Sequence, residues 1–142
     1  QFANHYPRVP LIVLVDYHND CVGTAVAVAD ALGDRLWGVR LDTSSDMVDG
    51  SLAKSGEHGV NPSLVRLVRS ALDHAEHTGV KIVVSGGFTE EKIMKFERLK
   101  TPVDAYGVGS SLLKGENDFT ADIVRVNGKF EAKKGRRFHE IH

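Results

Sequence analysis

A single cysteine leaves no partner for an internal disulfide, and Cys21 falls inside an apolar helical pattern, where a thiol serves as a small buried hydrophobe. Charge of one sign is missing too: 18 basic against 19 acidic side chains leave a net charge of -1, too weak a field to gather nucleic acid. No apolar run approaches the roughly 20 residues that span a bilayer, and the N-terminus lacks the basic and apolar regions of a signal peptide. These absences argue against a disulfide scaffold, a nucleic-acid binder and a membrane protein, and the unpaired thiol fits a reducing, cytoplasmic setting. An initiating methionine is lacking as well; strand signals begin almost at once after Gln1, as expected of a segment cut from something longer. What is present, 42% hydrophobic and 26% charged residues, suits one soluble globular domain.

The apolar run Leu11 to Val15 follows Pro10 and ends at Asp16, as a strand covered on both faces does in a parallel sheet. Asp20 is placed to cap a helix with Val22, Ala25, Val26, Ala29 and Leu32 at helical spacing, and Gly33 to end it. A second strand over Leu36 to Leu41 carries Arg40 and Asp42 to its end. A long polar loop, Thr43 to Val60, follows; loops of that length in compact domains are more often functional than incidental. Asn61-Pro62 starts a helix to about His77, with a stripe of Leu64, Val65, Leu67, Val68, Ala71, Leu72 and Ala75 and with Gly79 to close it. A third strand spans Lys81 to Ser85, Thr89 caps a third helix with Ile93, Met94, Phe96 and Leu99 on its buried face, and a fourth strand spans Asp104 to Val108. Thr120 to Val126 and Lys129 to Ala132 flank Asn127-Gly128, a dipeptide that favours the type I′ hairpin turn. The basic cluster Lys133, Lys134, Arg136 and Arg137 reads as a solvated tail. Strands alternating with helices predict a parallel α/β sheet. Pattern alone leaves open whether it is a doubly wound sheet or part of a barrel.

Two glycine-rich turns, Ser85-Gly86-Gly87 and Gly107-Val108-Gly109-Ser110-Ser111, fall at the ends of adjacent strands. Glycines let backbone amides approach an anion, a helix N-terminus adds partial positive charge, and Ser85, Ser110 or Ser111 could donate hydroxyls. Each hydrogen bond to a charged oxygen contributes about 1.5 to 3 kcal/mol, so three or four would anchor a phosphate. Either turn alone reads as an ordinary tight connection; together they match the phosphate site common in barrels. The carboxylates Asp16, Asp20, Asp42 and Asp46 collect at the carboxyl ends of the first two strands, where sites on parallel sheets form. Asp20 is spoken for as a cap, which leaves Asp16 and Asp42 for a ribose hydroxyl, a metal or a histidine. Arg40 shares the face of Asp42 and offers a fork for carboxylate or phosphate, or else an ion pair in a barrel interior. His74 and His77, three apart, lie off the apolar stripe with no third ligand and read as solvated. His18 borders the site; His5, His58, His139 and His142 carry no spacing argument.

As a set, Val13-Leu14-Val15-Asp16-Tyr17-His18-Asn19-Asp20, Gly38-Val39-Arg40-Leu41-Asp42-Thr43-Ser44, Val84-Ser85-Gly86-Gly87 and Tyr106-Gly107-Val108-Gly109-Ser110, in this order and at these separations, resembles the nicotinate phosphoribosyltransferase family. The closing run Val124 to Lys129 shares in the likeness. The resemblance implies a partial (β/α)8 barrel of the TIM type, about four parallel strands with three helices and then a C-terminal β-hairpin: barrel over residues 1–118, hairpin and basic tail over 119–142. It implies a reaction joining nicotinate to phosphoribosyl pyrophosphate, giving nicotinate mononucleotide and pyrophosphate, driven by ATP through a phosphorylated histidine, with magnesium neutralising the pyrophosphate. Ser85, Gly86, Gly87, Gly107, Gly109 and Ser110 would then hold the 5′-phosphate, Arg40 the pyridine-bearing ligand or phosphate, and Asp42 the ribose. Asp16 would orient the histidine, which is expected before Gln1. The run Asp42-Thr43-Ser44-Ser45-Asp46 departs from the family, which commonly has serine and glycine after that aspartate.

The aromatics expected to sandwich a pyridine ring are missing from this chain, as is the histidine, so catalysis is expected only with the rest of the enzyme. An open half-barrel would also leave aliphatic side chains in water, each forgoing about 1.5 to 3 kcal/mol, so pairing with the N-terminal remainder or with a second copy in a homo-oligomer is expected. Two other readings stand beside this one: another barrel enzyme binding a phosphorylated sugar or quinolinate, and a noncatalytic scaffold subunit.

Overall fold

The computed structural model describes residues 2–112 and 123–133. Its frame is one parallel sheet of four strands, β1 (Leu11–Leu14), β2 (Leu36–Leu41), β3 (Lys81–Val84) and β4 (Ala105–Tyr106), in the order β1-β2-β3-β4. A short helix α1 (Phe2–His5), which the sequence reading did not foresee, precedes it; α2 (Cys21–Leu32), α3 (Pro62–His74) and α4 (Glu90–Arg98) are the crossovers. An order without reversal contains no doubly wound switch point, and crossovers of one hand place all three helices on one face. The arrangement is that of part of a (β/α)8 barrel.

Alternation along the strands sorts the two faces. Val15, Val39, Leu41, Ile82 and Val84 point to the helices and are fully buried with Ala25, Ala29, Leu64, Val65, Val68 and Leu72. On the opposite face Ile12 and Leu14 stay 50% and 38% exposed. Gly38 is needed in β2 because a Cβ there would lie 2.7 Å from the Lys81 carbonyl oxygen of β3.

The helix starts follow their caps. Asp20 accepts from the Gly23 amide at 2.9 Å, Asn61 from Leu64 at 2.9 Å and Thr89 from Lys92 at 3.3 Å. One end differs from expectation. α3 stops at His74 rather than near His77, because Glu76 adopts a left-handed φ of 64° and the His77 amide closes back on the Leu72 carbonyl. α4 is closed in the same way after Arg98, with Lys100 at φ 50° and the Thr101 amide on the Phe96 carbonyl. The apolar stripes are narrower than read: Leu67, Met94 and Leu99 are exposed, since Leu64, Val65, Val68 and Leu72 in α3, and Ile93 and Phe96 in α4, already fill the arc that faces the sheet.

The fourth strand is two residues long instead of five. The Asp104 amide still donates to the Ile82 carbonyl at 2.9 Å, but its carboxylate takes the Ile82 amide at 2.8 Å and pairs with Lys81 at 3.1 Å, so a side chain replaces part of the ladder there. The loop after β2 is anchored: it holds a 3-10 turn (Gly50–Leu52) and a bridge between Val48 and His58, and it sends Leu52 and Val60 into the core. The hairpin forms as β5 (Arg125–Val126) and β6 (Lys129–Phe130), with Asn127 and Gly128 both at positive φ as a type I′ turn requires. Residues 120–122 of the expected strand, and Lys134, Arg136, Arg137, His139 and His142, lie outside the described residues.

Candidate functional site

The carboxyl ends of β1 to β4 bring the expected residues to one rim. Asp16 follows β1, and Val15 is held by a 3.1 Å bond from its amide to the Arg40 carbonyl. Asp42 follows β2 half-buried, and its Oδ1 stands 3.2 Å from where a Cβ of Gly86 would be. The β3 turn and the ribose candidate are therefore in contact across two strands. Gly86 and Gly87 have φ of 88° and 67°, a region where side chains strain the backbone. Gly107 packs on Ser85, whose Cβ would be 3.0 Å from a Cβ at 107, so the two glycine turns are neighbours as the spacing implied. The amides of Ser85 and Gly107 are used by the sheet, donating to the Leu41 and Val84 carbonyls. Among the described residues, the amides of Gly86, Gly87, Gly109 and Ser110 meet no protein acceptor. Such amides are what an anion requires.

The hydroxyls are less free than the sequence suggested. Ser85 donates to the Leu41 carbonyl at 3.2 Å and Ser111 to the Phe88 carbonyl at 2.9 Å, while Ser110 is exposed at the rim. Arg40 is exposed on the open face, between Leu14 of β1 and Val83 of β3. Asp20 is a cap, as read. His74 turns to the Ser70 carbonyl of its own helix, and His77 to Asp30 at 2.8 Å, so the two serve different partners. His18 packs edge-on against Tyr17 at the mouth.

Three residues escaped the sequence reading. Lys133, assigned to a solvated tail, instead forms an ion pair with Asp16, which is 2% exposed, and donates to the Asp42 carbonyl at 3.2 Å. The hairpin brings it there, and the Tyr17 hydroxyl donates to Glu131 at 3.1 Å beside it. The other Asp16 oxygen, Oδ1, is buried without a hydrogen-bond partner among the described residues. Lys92, in the first turn of α4, reaches back to the Gly86 carbonyl at 3.1 Å and lies 4.3 Å from the Phe88 ring centre. Burial, and then the nearby Lys95, hold its ammonium below the usual lysine range. A cation in the first turn opposes the helix dipole, and that was the signal available in the sequence. Asp49 is fully buried, accepting from the Cys21 amide at 3.0 Å and the Ser51 hydroxyl at 2.6 Å; it ties the long loop to the start of α2. Burial, then Asp49, push the Cys21 thiol well above its ordinary range, so it stays protonated.

No group of three His, Cys, Asp or Glu side chains among the described residues is arranged to hold a metal. No helix among them is long and apolar enough to cross a membrane.

No family model matches the chain. Nicotinate phosphoribosyltransferases from two strains of Mycobacterium tuberculosis are each 39% identical to it over 112 residues, 79% of this chain and 21% of theirs. The chain thus spans about a fifth of the length of the curated relatives it matches. The crystal structure of a nicotinate-nucleotide pyrophosphorylase from Pyrococcus furiosus shares the fold with a TM-score of 0.59 and 38% identity, over 91% of this chain and 30% of that one. The likeness to nicotinate phosphoribosyltransferases seen in four motifs therefore extends over most of the sequence, and the fold agrees with it.

Proposed function

We propose that this chain forms the phosphate- and ribose-binding portion of a nicotinate phosphoribosyltransferase, which joins nicotinate to phosphoribosyl pyrophosphate to give nicotinate mononucleotide and pyrophosphate. The observation that carries the reading is the pair of adjoining glycine turns, whose amides at Gly86, Gly87, Gly109 and Ser110 have no acceptor among the described residues, with the Asp42 carboxylate packed against Gly86. The amides of Gly86, Gly87, Gly109 and Ser110 hold the 5′-phosphate at the N-terminal end of α4. Asp42 accepts from a ribose hydroxyl. Positive charge developing at the anomeric carbon as pyrophosphate departs is stabilised by the Asp42 carboxylate, fixed in advance by the fold. Arg40, on the open face, supplies a planar fork for the anionic ligand.

Magnesium and ATP enter this proposal only through the remainder of the enzyme. The donor set here does not suit a resident magnesium, since one Asp16 oxygen is taken by Lys133 and no third ligand stands by among the described residues, so no step is derived through the metal. ATP would act through a histidine outside this chain, and the unpartnered Asp16 Oδ1 is the acceptor open to an imidazole N–H. The open face, with Ile12 and Leu14 in water, is covered by the remaining barrel or by a second copy, in a cytoplasmic enzyme of NAD synthesis.

Calorimetric titration of nicotinate mononucleotide into this chain, beside an Asp42→Ala, Gly107→Val double variant, tests the reading. Binding to the wild type that the folded double variant loses is expected. No binding by the folded wild-type chain would contradict an autonomous site.

A further inference from the structure

Lys133 stands where a ligand would meet the first two strands, and nothing in the reading above uses it. Its ammonium carries three N–H donors. One engages Asp16 Oδ2 and a second the Asp42 carbonyl, and its side chain keeps 18% of its surface accessible. Both partners belong to the rim that also carries the glycine turns. The position is fixed from two sides, by the hairpin turn at Asn127-Gly128 and by the bond from Tyr17 to Glu131. The ammonium is therefore held by the fold and is not a tail cation sampling solvent.

Its place in the sheet says which part of a ligand it can reach. The glycine turns follow β3 and β4, whereas Lys133 sits over the ends of β1 and β2; the β3 turn touches Asp42 through Gly86, and the β4 turn is about two strand spacings, or roughly 10 Å, away. Asp16 and the Asp42 carbonyl, rather than the glycine turns, orient its ammonium. A second anionic group, at the far end of an extended mononucleotide whose ribose lies over Asp42, comes within its reach.

We propose that Lys133 is a substrate-binding residue whose third N–H donates to an anionic oxygen of the ligand other than the 5′-phosphate, with Asp16 and the Asp42 carbonyl holding the ammonium in place. The inference rests on the proposed function. Two groups of that reaction share this chemistry, the pyridine carboxylate and the pyrophosphate. A lysine delivered by the C-terminal hairpin also makes the hairpin part of the binding site.

The test titrates nicotinate mononucleotide, nicotinamide mononucleotide and inorganic pyrophosphate into the wild-type chain and into Lys133→Met, Lys133→Arg and Gly107→Val variants, with thermal melting alongside. Since Lys133→Met strands a buried carboxylate and can fail to fold, a Lys133→Met, Asp16→Asn double variant removes both charges. Loss of affinity of about tenfold or more in a folded variant lacking the ammonium, with Lys133→Arg recovering most of it, is the expected result. A loss confined to nicotinate mononucleotide assigns the contact to the ring carboxylate, a loss for pyrophosphate assigns it to the leaving group, and an equal loss for both mononucleotides with pyrophosphate unaffected would overturn the inference by assigning it to the 5′-phosphate. Wild-type affinity for all three ligands in the folded double variant would overturn the inference, even with Gly107→Val defective and the proposed function intact. Equal losses in the arginine and methionine variants would also overturn it, by reducing Lys133 to a structural strut. If no ligand binds the folded wild type, the autonomous site of the proposed function fails for this chain and the inference falls with it.

Discussion

Along the same strands, one residue apart, lie two different environments. Val39, Leu41, Ile82 and Val84 are sealed under the helices, while Ile12 and Leu14 face water and Arg40 and Val83 share their side of the sheet. The helix-covered face is a finished core: three helices, each with a capped start, cover four short strands. The open face is built as an interior, apolar toward the amino ends and charged at the carboxyl rim, yet nothing among the described residues covers it except where Lys133 reaches Asp16. What separates the faces is completeness, and their responses to substitution should separate in the same way.

The sharpest contrast is between Leu41→Ala and Leu14→Ala. Removing Leu41 from the sealed face should lower stability by about 2 to 5 kcal/mol, whereas Leu14, already partly wet, should lose less than about 1 kcal/mol. Urea denaturation measures both, and equal losses would mean that the open face is covered in solution, by a second copy or by a rearrangement. Gly86→Ala should cost about 1 to 2 kcal/mol, because its φ of 88° penalises a side chain and the new Cβ would crowd Asp42. It should also abolish phosphate binding, which distinguishes it from an equally destabilising change in the core.

A smaller effect is expected at Cys21, on the sealed side. Its thiol is raised by burial and by Asp49, so the folded state keeps the proton that an unfolded chain releases near pH 8.5. The stability from the neutral thiol is thus fully present below that pH and declines as pH rises above it. At pH 8.5 alkylation by iodoacetamide should run on the order of a hundredfold slower in the folded chain than in urea. Rapid alkylation of the folded chain would show that the start of α2 opens readily.

Much of this was legible in the sequence because local chemistry repeated at fixed places. Asn61-Pro62, Thr89, Asp20 and Asn127-Gly128 each dictate a start or a turn through their own side chains or backbone freedom, and each formed as read. The gathering of Asp16, Asp42 and the glycine turns on one rim follows from strand period and parallel order alone. Other features depend on contacts made across the fold. Glu76 and Lys100 end helices in left-handed backbone without glycine, and Asp104 replaces ladder bonds of β4. Lys133 meets Asp16 across 117 residues, a separation no local pattern reveals. Its basic neighbours in sequence made it look like tail.

The central claim is that the amides of the two glycine turns form the anion cradle, and the most direct measurement is a residue-by-residue amide NMR titration with nicotinate mononucleotide. The account predicts shifts concentrated at Gly86, Gly87, Gly109 and Ser110, with the opposite end of the sheet, around Arg8, Arg35 and Lys81, unmoved. Saturable shifts at that opposite end, with the glycine turns silent, would contradict it.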